Sequence, residues 1–173
     1  MIVVLIGYMA SGKSSIGKKL AKKLNYNFAD LDDLIEEKEN LTVAEVFKTK
    51  GEVYFRKQEA IHLKEQMDKN TDLILAVGGG TPCYGTNMDD ILKANNVKSI
   101  YLKGSLTTLV KKLIKKKSKR PLIAHIETEE AMAEFVGKHL FERAFFYNQA
   151  EIKVSIDNKT KDDIANDIVS TLF

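Results

Sequence analysis

Gly7, Gly12, Lys13 and Ser14 fall in the order glycine, four residues, glycine-lysine-serine, within Gly7-Tyr8-Met9-Ala10-Ser11-Gly12-Lys13-Ser14. That spacing suits the holding of a nucleotide phosphate. Backbone N–H groups of the glycine turn point at phosphate oxygens, and the dipole of a following helix adds positive potential. Lys13 would reach the β- and γ-phosphates, and the Ser14 hydroxyl could ligate Mg²⁺. The flanks fit. Ile2-Val3-Val4-Leu5-Ile6 reads as a buried parallel strand, and Lys13 to Leu24 repeats Ile16, Leu20 and Leu24 at helical spacing.

Other residues could supply acceptor chemistry. Asp30 and Asp32 stand two apart at the end of a predicted strand, so in extended chain both carboxylates point the same way. One could join a Mg²⁺ shell and the other address an acceptor hydroxyl; the plainer alternative is a helix N-cap with a first-turn carboxylate. Arg56 has Glu52 and Glu59 at i−4 and i+3. These are either a surface ion-pair ladder or a support for a guanidinium that clamps a carboxylate in two-point fashion. Arginine is scarce, with only Arg56, Arg120 and Arg143 among twenty-seven basic residues. Its fork geometry is therefore expected to matter where it occurs. Arg143 shares a helical face with Tyr147. Gly78-Gly79-Gly80 is more glycine than an exit turn needs, which points to close approach of the backbone to a ligand. His62, His125 and His139 lack metal-ligand spacing and read as surface or boundary residues, and Cys83 as a small half-buried one.

The elements that must position these groups alternate strand and helix, the pattern of a parallel α/β sheet covered on both faces. The expected strands are Ile2–Ile6, about Asn27–Asp30, Leu73–Val77, Val97–Leu102 and Ile152–Ile156. A helical region from Leu31 to Lys69 should break near Asn40 and Gly51, with Thr42 as an N-cap and Glu45 at capping-box spacing. Further helices are expected around Asn87–Ala94, after Ser105, over Glu129–Asn148 and over Lys161–Leu172. Pro121 bars helix continuation, leaving Arg120 to Thr128 as loop. Ligands of such sheets gather beyond the carboxyl ends of the strands, where the phosphate loop, the aspartates and the triple glycine all fall.

A chain of 173 residues suits one domain. Its two prolines, ten glycines and single cysteine argue against disorder and against a disulfide framework, and fit a reducing cytoplasm. The short N-terminal apolar run is expected to be neither signal peptide nor membrane span. The net charge of +3 is concentrated in Lys111 to Arg120, KKLIKKKSKR, where no aromatic residue is interleaved for base stacking. Most of these lysines are assigned to a solvated face, and Arg120 to a phosphate-facing lid.

Taken in order, five segments resemble the shikimate kinases, relatives of the nucleoside monophosphate kinases. They are GYMASGKSSIG from Gly7, FADLDDLIE from Phe28, GEVYFRKQE from Gly51, VGGGT from Val77, and RPLI at Arg120 with ERAFFYNQA from Glu142. The resemblance implies a three-layer P-loop kinase fold with a five-stranded parallel sheet and a mobile lid. It implies one domain over 1–173, with an acceptor-binding helical region at about 31–60 and the lid at about 114–128. It implies transfer of the γ-phosphoryl group of ATP, with Mg²⁺, to the 3-hydroxyl of shikimate by a cytoplasmic monomer without nucleic-acid or membrane partners.

By the same resemblance Gly7, Ala10, Ser11, Gly12, Lys13, Ser14 and Ser15 bind nucleotide, with Lys112 near adenine and Arg120 on the phosphates. Ser14 and Asp30 serve the metal, and Lys13, Asp32 and Arg120 serve catalysis. Asp32, Arg56, Gly78, Gly79, Gly80 and Arg143 hold the acceptor. The chain departs from the family at Ala10, where glycine is common, at Lys112, where arginine is frequent, and at Gln149, often glutamate. The alternatives are a gluconate-type sugar-acid kinase and a GTP-binding switch. For the latter, Asn158-Lys159-Thr160-Lys161 fails the guanine-binding pattern at its last residue.

Overall fold

Five strand segments form a single parallel sheet in the order β2-β3-β1-β4-β5 in the computed structural model, which describes residues 1–116 and 122–173. The strands are β1 (Ile2–Ile6), β2 (Asn27–Asp30), β3 (Leu73–Ala76), β4 (Val97–Lys103) and β5 (Ile152–Ser155). All five residues of β1 are buried, although alternate side chains point to opposite faces, so both faces of the sheet centre are covered. β1 pairs with β3 from Ile2 opposite Leu73 to Leu5 opposite Ala76, and with β4 from Ile2 opposite Val97 to Ile6 opposite Tyr101.

The helices among the described residues are α1 (Lys13–Leu24), α2 (Leu31–Glu39), α3 (Val43–Lys50), α4 (Glu52–Met67), α5 (Asn87–Lys93), α6 (Leu106–Lys116), α7 (Glu129–Tyr147) and α8 (Lys161–Leu172). They match the expected elements closely, with β3 and β5 one residue shorter and β4 one longer. The breaks in the second helical region have local causes. Asn40 adopts a left-handed conformation at φ 52° and ends α2. Thr42 starts α3 with a reciprocal cap: Glu45 N–H donates to Thr42 Oγ1 at 3.2 Å, and Thr42 N–H donates to Glu45 Oε2 at 2.7 Å. Gly51, at φ 86°, separates α3 from α4.

Strand order does the positioning. β3 lies between β1 and β2, so the loops leaving these three strands are neighbours at one end of the sheet. α1 packs on β2 and β3 and against α8. α2, α3 and α4 form a helical cluster over the β2 edge, and α6 packs with α7. No helix among the described residues is long and apolar enough to cross a membrane.

Candidate active site

The turn after β1 owes its shape to two residues with positive φ. Gly12, at φ 93°, caps α1, and Ala10 sits at φ 65°. α1 has no acidic residue in its first turn and no side chain bonded to its leading N–H groups, so its N-terminal amides face the loop. Lys13 Nζ donates to the carbonyls of Gly7 at 2.7 Å and Tyr8 at 3.1 Å, which folds its charge over the concave side. Ser11 is fully buried, and its Oγ lacks a hydrogen-bond partner among the described residues. Ser15 Oγ bonds back to the Gly12 carbonyl at 3.2 Å.

Asp30 takes the N-cap role considered for it and also meets Ser14. Its Oδ1 caps α2 by accepting the Asp32 N–H at 3.1 Å, while its Oδ2 accepts a very short bond from Ser14 Oγ. A hydroxyl and a carboxylate thus face each other across the phosphate loop, an oxygen donor set suited to a hard cation. Asp32 is not in extended chain; it lies in the first turn of α2. Burial, then the charges of Asp30 and Glu59, push its carboxyl up to about 6, against a smaller opposing pull from Lys13.

Arg56 is no surface ladder residue. Its side chain is 17% exposed and its partner Glu59 only 1%. Arg56 Nη1 donates to Glu59 Oε1 at 2.8 Å, while Glu59 Oε2 accepts from Thr81 Oγ1 at 2.5 Å. α4 is thereby fastened to the short 3₁₀ turn Thr81–Cys83 after the triple glycine. A Cβ placed on Gly78 would lie 3.0 Å from Glu59 Oε2 and 3.2 Å from Asp32 Oδ1, and one on Gly79 would lie 3.0 Å from Arg143 Nη1. That same point is 3.6 Å from Gly7 O and Met9 N, so the triple glycine also abuts the phosphate loop. Tyr147 donates to the Gly79 carbonyl at 2.5 Å, which anchors the end of α7 and with it Arg143. Two guanidiniums, a carboxylate with a raised pKa and the phosphate loop share one open cleft of about 1470 Å³, lined in part by Asp32, Phe47, Arg56, Tyr84, His139 and Arg143.

His139 is the half-buried boundary residue that the sequence reading expected, with contacts that reading did not foresee. It lines the cleft, its Nδ1 shares a 2.9 Å hydrogen bond with the buried Tyr8 hydroxyl, and burial followed by the Arg143 charge lowers its pKa. Its position one turn before Arg143 was the available signal. His62 is buried rather than at the surface. Tyr84 and Tyr8 also went unassigned, because their roles depend on contacts between distant elements. Lys112 lies on α6, where burial and the charges of Lys116 and Lys161 lower its pKa and Asp157 opposes them. Arg120 lies outside the described residues, as does Pro121.

A protein-family model described as shikimate kinase matches residues 9–173. A shikimate kinase of Flavobacterium psychrophilum is 49% identical over 171 residues, covering 99% of this chain and 98% of that one. The crystal structure of the Bacteroides thetaiotaomicron shikimate kinase superposes with a TM-score of 0.90 at 31% identity, over 99% of this chain and 98% of the other. The Acinetobacter baumannii shikimate kinase, solved in complex with shikimate, gives 0.85 at 27% identity, over 99% and 92%.

Proposed function

The chain belongs to the shikimate kinase family, and from that premise we propose how its residues divide the work of the reaction. The enzyme transfers the γ-phosphoryl group of ATP to the 3-hydroxyl of shikimate. One observation carries the division of roles: Arg56 and Arg143 meet the triple glycine beside Asp32, and that glycine segment touches the phosphate loop. Donor and acceptor are then held in adjoining halves of one cleft.

On this reading Arg56 and Arg143 bind the shikimate carboxylate, and Asp32 faces the ring hydroxyls. Asp32 orients the 3-hydroxyl and accepts its proton as the oxygen attacks the γ-phosphorus and the bond to the β-phosphate oxygen breaks, releasing ADP. Lys13 and the N-terminal amides of α1 hold the β- and γ-phosphates. Ser14 and Asp30 would hold Mg²⁺. Bound there, the ion supplies charge neutralisation between the phosphates. No group of three or more metal-ligating side chains occurs among the described residues, which suits a cation held mainly by phosphate and water. Lys112 near the adenine, Arg120 as a lid residue over the phosphates, and action as a cytoplasmic monomer belong to the same reading. The contact of Arg56 with a buried glutamate and an adjoining glycine favours a flat carboxylate ligand over a switch function.

The test is ADP release with shikimate, gluconate and nucleoside monophosphates as acceptors, for the native chain and for Arg56→Ala and Arg143→Ala. Stimulation by shikimate, with each variant raising the shikimate KM and sparing ATP binding, is the expected result. Equal loss of ATP affinity in both variants would overturn the roles of the arginines. Loss of magnesium dependence in Asp30→Ala without loss of the metal-free nucleotide affinity would support the metal assignment.

A further inference from the structure

Besides Glu59, Arg56 has two neighbours, Tyr84 and Glu52, whose arrangement the reaction leaves unexplained. Its guanidinium carbon lies 3.9 Å from the centre of the Tyr84 ring, close enough for stacking. The Tyr84 hydroxyl donates to Glu52 Oε1 at 3.0 Å. That same oxygen stands 3.7 Å from Arg56 Nε, beyond hydrogen-bonding distance, although the two residues are i and i+4 on one helix. Arg56 Nε is consequently buried without a hydrogen-bond partner among the described residues. A desolvated, unpaired guanidinium N–H is unfavourable, and an acceptor that reaches it is rewarded accordingly.

We propose that Tyr84 is a positioning residue for carboxylate recognition: its ring steadies the plane of Arg56, and its hydroxyl restrains Glu52 from closing on Nε. The edge of the fork next to Nε is thereby kept for the carboxylate of the acceptor. Glu52 is 55% exposed and needs to move by less than 1 Å to bond Arg56 itself. Without the tyrosine hydroxyl it becomes a competing internal carboxylate. The proposal rests on Arg56 binding the shikimate carboxylate, and extends it by naming what keeps that arginine available.

Steady-state kinetics on four variants test it. Tyr84→Phe keeps the ring and removes the hydroxyl; it should raise the shikimate KM about twofold to fivefold, the range of a partly exposed ion pair, with kcat and the ATP KM unchanged. Glu52→Gln in the Tyr84→Phe background should restore the native KM, because the competing charge is gone. Tyr84→Leu should raise the KM further, to about tenfold or more, as the stacking contact is also lost. With the neutral methyl ester of shikimate as acceptor, Tyr84→Phe should match the native enzyme. A native shikimate KM in Tyr84→Phe, or a raised KM that Glu52→Gln leaves in place, overturns the proposal. Arg56→Ala separates the two claims: an unchanged shikimate KM there overturns the arginine's role itself, whereas a raised KM beside an unaffected Tyr84→Phe overturns the proposal alone.

Discussion

The Nη end of the Arg56 guanidinium lies against Gly80: a Cβ built on residue 80 would be 2.7 Å from Nη1, 2.8 Å from Nη2 and 3.0 Å from Cζ. The glycine is therefore part of how the arginine is placed. Gly80→Ala should push the fork out of position, since the tip of a long side chain yields more easily than backbone. The expected outcome is a rise of about tenfold or more in the shikimate KM, with little change in folding stability. Gly79→Ala, where a single arginine nitrogen lies at 3.0 Å and the next atoms at 3.6 Å, should do less. Kinetics of both variants alongside thermal melts check the ranking.

Asp32 should oppose folding at the pH where it works. Its carboxyl is pushed up to about 6 by burial and by Asp30 and Glu59, against 3.8 for an unperturbed aspartate. Because the folded state holds the proton more tightly, the stabilising contribution is full below about pH 4 and is lost as pH rises through 6. At neutral pH the ionised group costs on the order of 3 kcal/mol. Asp32→Asn should accordingly be more stable than the native chain in urea titrations at pH 7.5, the gap shrinking toward pH 4. Its kcat should fall by about a hundredfold or more.

Glu59→Gln should act on both stability and pH dependence. It leaves the Arg56 charge with less compensation in a site where Glu59 is 1% exposed, which should lower the unfolding free energy by about 3 kcal/mol. It also removes a charge that raises the Asp32 pKa. The acid limb of kcat/KM, expected near the Asp32 value in the native enzyme, should move to lower pH. A limb that stays in place would argue that another group sets it.

Ala10→Gly should stabilise the phosphate loop. A left-handed conformation at φ 65° strains alanine by about 1–2 kcal/mol, and the added flexibility of glycine offsets part of the gain. The net expectation is about 0.5–1 kcal/mol, a rise of roughly 1–4 °C in melting temperature for a chain of this size. ATP turnover should be unchanged.

Much of the fold was legible because its signals are local. The five strand segments, the Thr42–Glu45 cap and the breaks at Asn40 and Gly51 depend on residues within one or two turns of one another, so periodicity and capping chemistry reveal them. The phosphate loop was legible for the same reason, as a contiguous strand, turn and helix start. Arg56 with its two glutamates was visible as helical spacing. Which glutamate mattered was not: Glu59 is buried and fastened to Thr81, twenty-two residues away, whereas Glu52 is half exposed. The hydrogen bond of His139 to Tyr8 was not legible, because the two lie 131 residues apart.

By itself the sequence determined the element order, the phosphate loop and the types of residue available to meet an acceptor, since each follows from near neighbours along the chain. Only the tertiary structure decided that β3 lies between β1 and β2. That strand order brings the loop after Ile6, the aspartates after Ala29 and the glycines after Val77 to one edge, where Arg143 arrives from the far end of the chain on α7. The physical reason is that parallel strands need crossover connections, and many strand orders satisfy the same local hydrophobic pattern. The choice among them is made by packing across the whole core. The same packing sets the burial that raises Asp32 and holds Arg56 between Glu59, Gly80 and Tyr84, a relationship that spacing along the chain does not encode.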